Sequence, residues 1–286
     1  RPGPARCPPR KPANRPAELM AILRVGSYNL LHGMRVLGGA KEGDTQALWD
    51  SVHSLDVDVL GLQEVDAAQP RSDSADQTAV AADALGAASW RFVPTVSGTP
   101  GPQADFRPST AEDVAAAARG DYAQPLYGVG LVTRHPVREW HHLMMHAARM
   151  TMPLLVPGNP KPRMLRVPDE PRAAVAAVLD LPTPITVATV HLSFVPVFNI
   201  RQLRQVRDWL KGLPRPLILM GDFNIPGRIP GRVTGWHEAE LGATYPVFKP
   251  RIQFDHILSD GIRPQSAAVR PLPVSDHCAV TASFAL

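Results

Sequence analysis

The sequence predicts an α/β sandwich in which two packed sheets are flanked by helices, and three observations lead there. Nine short β-type runs are punctuated by turn residues, and amphipathic segments with helix-capping residues lie between some of them. No internal repeat at a solenoid period intervenes. With 286 residues and 44 % hydrophobic content, the chain can bury one large core. Strands interleaved with a few helices fit two sheets with helices on their outer faces.

Taken in chain order, residues 22–28 and 57–63 are the first two strands. Between them Asp44 caps a helix that buries Leu48, Val52 and Leu55 at helical spacing. A helix at 79–85, a strand at 90–96, a helix at 112–119 and a strand at 128–133 follow. Strands at 175–181 and 185–192 come next, and Asn199 caps a helix burying Ile200, Leu203, Val206 and Leu210. Strands at 217–220, 254–258 and 278–284 complete the set. Positions 97–108 are rich in Gly and Pro and positions 151–184 carry eight prolines, so both read as long loops. Long ordered loops of this kind usually form functional rims.

Charge and composition divide the chain unevenly. Residues 1–19 hold six prolines and five basic residues against one acid, while residues 20–286 carry no net charge. That first segment has almost nothing to bury and is expected to be a disordered tail, a linker or a start-site artefact, with the domain running over 20–286. A contact with an anionic surface or a proline-reading partner is its functional alternative. The neutral body does not advertise indiscriminate binding to polyanions, although a local basic patch still serves. No apolar run is long enough to span a bilayer, the tail lacks the apolar stretch of a signal peptide, and no obligate protein partner is evident. Cys7 and Cys278 alone exclude a disulfide framework and a cysteine-rich zinc site. The expected location is therefore cytoplasmic, with the proviso that a signal peptide already removed leaves no trace.

The chemically informative residues follow apolar runs, which anchor them rigidly. Asn29, Glu64, His191 and the segment Gly221-Asp222-Phe223-Asn224 each end a strand, and Asp255 and Asp276-His277 follow short apolar stretches. Glu64 and Asp276 are hard oxygen donors suited to Mg²⁺ or Mn²⁺, with Asn29 as a neutral ligand or supporting partner. Asp222 can orient and deprotonate a water, and Asn224 can place it. His191 and His277 can hydrogen-bond developing charge, with Asp255 fixing the tautomer of His277. Arg201, Arg204 and Arg207 read as a solvated helix face, His141, His142 and His146 as surface or packing residues, and Cys278 as packing. His32 lies next to the proposed site.

The ordered series Ser27-Tyr28-Asn29, Leu62-Gln63-Glu64-Val65, Val190-His191-Leu192, Gly221-Asp222-Phe223-Asn224, Phe254-Asp255-His256-Ile257-Leu258 and Ser275-Asp276-His277 resembles the endonuclease/exonuclease/phosphatase superfamily, which includes deoxyribonuclease I-like nucleases. The resemblance runs from about residue 22 to 284 and implies a four-layer α/β/β/α sandwich of two mixed sheets. It also implies Mg²⁺-dependent phosphoester hydrolysis by in-line attack of water. By that likeness Glu64 holds the metal with Asn29 and Asp276 close by, and Asp222 activates the water with help from Asn224. His277, oriented by Asp255, stabilises the transition state, and His191 contacts the scissile phosphate. The segment from Gly128 to Arg134 also resembles the family's strand ending in Ser-Arg-x-Pro, with Thr133 in the serine position.

Two departures stand out. Leu31 occupies a place where apurinic endonucleases carry an acid, and no carboxylate can be assigned to orient His191. The expected activity is a phosphodiesterase with nucleic acid as the first substrate. A phospholipid- or small-molecule-directed phosphoesterase and a non-catalytic phosphate-binding module are the alternatives.

Overall fold

A computed structural model of the chain describes residues 21–101, 105–156 and 163–286. The expectations for the tail at 1–19, the boundary at Met20 and Cys7 lie outside the described residues. In chain order the elements are β1 (Ile22–Asn29), α1 (Thr45–Leu55), β2 (Val59–Ala67), α2 (Gln77–Leu85), β3 (Ser89–Thr99), β4 (Asp105–Pro108), α3 (Ala111–Ala117), β5 (Leu126–Thr133), β6 (Val137–Met145), β7 (Thr151–Val156) and β8 (Arg163–Pro168). They continue with β9 (Arg172–Leu179), β10 (Ile185–His191), α4 (Phe198–Leu210), β11 (Leu217–Asp222), α5 (Ile229–Thr234), β12 (His237–Glu238), β13 (Asp255–Asp260), β14 (Pro264–Arg270) and β15 (Ala279–Ala285).

Burial arranges these elements in layers. One sheet has the order β14-β15-β1-β2-β5-β3-β4 and the other β12-β13-β11-β10-β9-β6, while β7 and β8 pair with each other. The two large sheets face each other across Val25, Val59, Leu131, Val175, Val187 and Ile218. Against the outer face of the first, α1 and α2 bury Leu48, Val52 and Leu85 on Leu60 and Leu62. Against the outer face of the second, α4 buries Leu203, Val206 and Leu210 on Ala188 and Leu219. Each Val or Leu so covered contributes about 1.5–3 kcal/mol relative to exposure. Isolated helices of this length are marginal, so burial of an apolar face holds them in place. The four-layer α/β/β/α sandwich expected from the sequence is what forms.

Both sheets are mixed, and that places the site. β1 and β2 run parallel, as do β10 and β11, so Asn29, Glu64, His191 and Asp222 all lie at or near carboxyl ends of neighbouring strands. Antiparallel β13 starts where β11 finishes, with Asp255 opposite Asp222. The sheets pack closely beneath the site. A Cβ on Gly61 would lie 2.4 Å from Thr189 Oγ1, and Gln63 Nε2 donates to that hydroxyl at 2.8 Å.

Several local expectations are corrected. The strand β6 was not expected. Its sequence Val-Arg-Glu-Trp-His-His-Leu-Met-Met reads as polar because it is an edge strand with one solvated side. The edge strand β14 was missed for the same reason. The two loops expected at 97–108 and 151–184 contain hairpin strands: β3 pairs with β4, and β7 pairs with β8. Proline is tolerated there because these ladders lie at sheet edges or in a two-stranded ribbon. Asp44 does cap α1, accepting from Ala47 N–H at 3.3 Å. Asn199 does not cap α4. Val197 holds that position, and the Asn199 amide instead donates to the Asn224 carbonyl at 2.8 Å. Among the described residues, no helix is long and apolar enough to cross a membrane.

Candidate active site

The strand ends do more than carry the polar side chains, since the backbone is bent to aim them. In β2 the register with β5 slips between Leu62 and Val65, so Gln63 and Glu64 share the place opposite one residue. Glu64 sits in this bulge at φ 54°, a left-handed conformation that turns its carboxylate toward the mouth of the site. Asn224 at φ 50° and Ser275 at φ 73° are bent likewise. Gly221 has φ 151°, and a Cβ there would lie 1.9 Å from the Val190 carbonyl oxygen, so only glycine fits before Asp222.

Asn29 ties the two halves together. Its amide Nδ2 donates to Glu64 Oε1 at 2.9 Å and to Asp222 Oδ2 at 3.0 Å, while its Oδ1 accepts from Leu31 N–H at 3.0 Å. Asp222 also accepts from Asn224 N–H at 2.9 Å on Oδ1. Its Oδ2 lies 3.7 Å from His191 Nε2 and 3.8 Å from His277 Nε2. His277 Nδ1 meets Asp255 Oδ2 at 2.9 Å, and the Tyr245 ring stacks obliquely 4.9 Å from it. All eight side chains singled out from the sequence are thus drawn to one end of the sandwich, Glu64 and Asp276 coming together there with His277.

The electrostatics follow from burial. Glu64 is pushed up to about 7 by burial and then by Asp276. Asp276 and Asp222 are raised by the same loss of solvent. Burial disfavours a charged His277, yet Asp255, Asp222 and Asp276 outweigh it and raise the imidazole well above its usual value. His191 goes the other way, lowered well below the ordinary histidine by burial and by Arg172. A half-buried carboxylate raised by loss of solvent and by a neighbouring carboxylate, as Glu64 is by Asp276, is what a hard divalent cation would relieve, and the oxygen donors fit Mg²⁺ or Mn²⁺. Glu64, His191 and Asp222 also bring ligand atoms within 4.8 Å of one another.

Sequence reasoning missed Arg172. It begins β9, is buried, and places Nη1 2.9 Å from His191 Nδ1. It also missed Asp169 and Glu170, which pair with that guanidinium at 3.3 and 3.2 Å. The signal was present: Asp169-Glu170-Pro171-Arg172 immediately precedes an apolar strand. An antiparallel strand enters the sheet at the end where its neighbour β10 leaves it. His256 is a further buried histidine, held by Glu238 and the Ile225 carbonyl, where it fastens the turn after Asp222. His32 lies in a short 3₁₀ turn and is lowered to about 3 by burial and Arg71. Among the packing expectations, Cys278 is fully buried and Arg201 and Arg204 are exposed; His141 lies 3.0 Å from Glu139.

The model of the endonuclease/exonuclease/phosphatase family matches residues 26–277. This chain belongs to that family. Like the family's members, it is a hydrolase of phosphate esters, and members generally employ divalent metals. Among solved structures, an endonuclease/exonuclease/phosphatase from Beutenbergia cavernae DSM 12333 is 20 % identical, covering 93 % of this chain and 72 % of the other at a TM-score of 0.59. A mannosyl-6-phosphatase from Bacteroides thetaiotaomicron VPI-5482 is 16 % identical over 92 % of this chain and 100 % of its own, at a TM-score of 0.58. Sphingomyelinase C from Streptomyces griseocarneus is 15 % identical over 93 % and 100 %, at 0.57. These likenesses establish the shared fold. The comparison with curated proteins gives no match.

Proposed function

We propose that this family member is a divalent-metal-dependent phosphodiesterase that hydrolyses by in-line attack of water. The observation that carries the reading is the buried Asp222, whose Oδ2 faces both histidines while its Oδ1 accepts from the Asn224 backbone. Glu64 and Asp276 would hold Mg²⁺ or Mn²⁺, with Asn29 spacing Glu64 from Asp222. When bound, the ion supplies positive charge beside the scissile phosphate. Asp222 takes the proton of the attacking water, and its raised pKa makes it a better base than a surface carboxylate. Asn224 steadies Asp222 through its backbone N–H. His277, kept charged by Asp255, hydrogen-bonds the phosphoryl oxygens as the P–O ester bond breaks. His191 contacts the same phosphate from the opposite sheet.

Nucleic acid is the first substrate we propose. Phe248, Lys249 and Arg251 are exposed on a turn fixed to the site by the Val247 N–H donating to the Asp276 carbonyl. An aromatic ring flanked by cations can stack a base and follow a phosphate backbone. A phospholipid diester is the second reading, favoured by the rim itself: Phe248 and Val197 are 71 % and 64 % exposed, and Ile252 is also exposed.

The test is hydrolysis of single- and double-stranded DNA, RNA, a phosphocholine lipid, inositol phosphates and a generic diester, with Mg²⁺ or EDTA. Asp222→Asn is expected to lower kcat by about 10²–10⁴-fold. Added salt should weaken a polynucleotide substrate steeply and a lipid or small diester little. Turnover that survives EDTA or Asp222→Asn sinks the mechanism, and the absence of both turnover and metal binding would favour a binding module.

A further inference from the structure

The first sheet has an open edge at the end of the sandwich away from the catalytic groups. β4 pairs with β3 only from Val96 to Thr99, so the stretch of β3 before it has no outer partner among the described strands. Trp90 lies opposite Val132 of β5, and Val132 opposite Leu60 of β2, which puts this edge well below the bulge that carries Glu64. Successive side chains of a strand point to opposite faces. Trp90 therefore turns with Phe92 toward the helices, and Arg91 turns with Val93 toward the second sheet. A cleft of about 420 Å³ wraps the edge, walled by Arg119 and Tyr122 after α3 and by Trp140 of β6.

Arg91 has no counter-charge in this cleft. Its guanidinium carbon lies 5.5 Å from the centre of the Trp140 ring, which fixes its plane. Its Nε is buried without a hydrogen-bond partner, and burial is the one influence on its pKa, acting against the charge. Asp76, the acid of the cleft, is already committed: Oδ1 accepts from the Ala79 N–H at 3.0 Å and Oδ2 from the Tyr122 hydroxyl at 2.5 Å. Arg119 is exposed and donates to the Ala115 carbonyl at 2.9 Å, with no carboxylate beside it among the described residues. A desolvated guanidinium without an anion is unfavourable, and a ligand can supply the missing charge. Trp90 keeps 47 % of its surface open. Tyr122, tied to Asp76 and edge-on to Phe92 at 6.2 Å, makes a firm wall.

We propose that this cleft is a second ligand site, remote from the catalytic one, which takes an aromatic ring carrying a phosphate, as in a nucleoside monophosphate. Arg91 offers a planar fork of donors to the phosphate, and Arg119 adds a second positive charge toward its dianion. The open ring of Trp90 offers the face on which a base stacks. The volume suits such a ligand, since small-molecule sites run from about 300 to 1,000 Å³. A bare anion leaves the indole unused, and a neutral nucleoside leaves the guanidinium unpaired. The site stands whether or not the catalytic groups hydrolyse diesters.

The test is calorimetric titration of the metal-free protein in EDTA with AMP, adenosine and inorganic phosphate as probes. AMP should bind one per chain, with adenosine and phosphate each at least about tenfold weaker, because each lacks one half of the contact. Arg91→Met and Trp90→Ala should each weaken AMP by at least about tenfold. Arg91→Lys, which keeps the charge but not the fork, should weaken it less than Arg91→Met does. His277→Gln strips a phosphate contact from the catalytic site and should leave AMP affinity within about twofold. The proposal fails if AMP does not bind at millimolar concentration, or if adenosine or phosphate binds as tightly as AMP. It fails equally if Arg91→Met leaves AMP affinity unchanged, or if that affinity depends on His277. The comparison of probes is made on the wild-type protein, so it decides even where a variant misfolds. It also separates the cleft from the proposed activity: a protein that hydrolyses no phosphodiester still binds AMP here, and an active phosphodiesterase that ignores AMP refutes the cleft alone.

Discussion

His277 and His191 stand on either side of Asp222 Oδ2, at 3.8 and 3.7 Å, yet the fold gives them contrary electrostatics. His277 stands next to Asp276 and takes a buried carboxylate on Nδ1, so its charge is favoured despite burial. His191 ends a strand whose antiparallel neighbour opens with Arg172, so its charge is doubly disfavoured. Equal distance from the base does not make equal partners. What decides the role of each ring is the second group it touches.

That contrast can be broken most severely by deleting each ring. His277→Gln should lower kcat by about 10³-fold and His191→Gln by about 10²-fold, because charge-assisted hydrogen bonds are roughly twice as strong as neutral ones. Equal losses, measured under metal saturation, would erase the distinction. A smaller effect is expected from Asp255→Asn, which keeps the shape around His277 but removes the charge that sustains its protonation. Here kcat should fall by about 10–100-fold and the alkaline limb of the pH–rate profile should move to lower pH. An alkaline limb that stays in place would mean that His277 does not titrate there.

The reach of the sequence follows from which physical signals are local. Gly221-Asp222-Phe223-Asn224 was legible because an apolar strand, a glycine that tolerates φ 151° and polar residues stand in one run. The layer order followed from alternating strands and amphipathic helices. Arg172 was not legible, because its meaning comes from an antiparallel pairing with β10 that no local pattern announces. The edge strands β6 and β14 escaped for a related reason: a strand solvated on one side loses the apolar run that marks a buried one. Asn199 looked like a cap since Asn commonly fills that position, but its side chain is recruited by the Asn224 carbonyl.

A gentler test turns to Glu64 and Asp276, a like-charged pair that contrasts with the opposite-charged Asp255 and His277. Burial and Asp276 hold Glu64 at about 7 against an ordinary 4.5. A carboxyl whose folded pKa is raised stabilises the fold fully below its unfolded value, and that contribution is lost as pH climbs through the folded one. Metal-free protein should therefore lose stability between pH 5.5 and pH 8. Because the carboxylate is partly open to solvent, the loss is about 1–2 kcal/mol, or about 2–6 °C in Tm. Mg²⁺ or Mn²⁺ should restore more at pH 8 than at pH 5.5, since the cation competes with protons for the same oxygens. His277 contributes in the same direction and His191 in the opposite one, so the decisive quantity is the difference between wild type and Glu64→Gln in thermal unfolding with EDTA. Glu64→Gln should lose both the Glu64 share of the pH dependence and most of the metal response. If the two proteins respond alike to pH and to metal, Glu64 is neither the strained carboxylate nor the metal-holding residue.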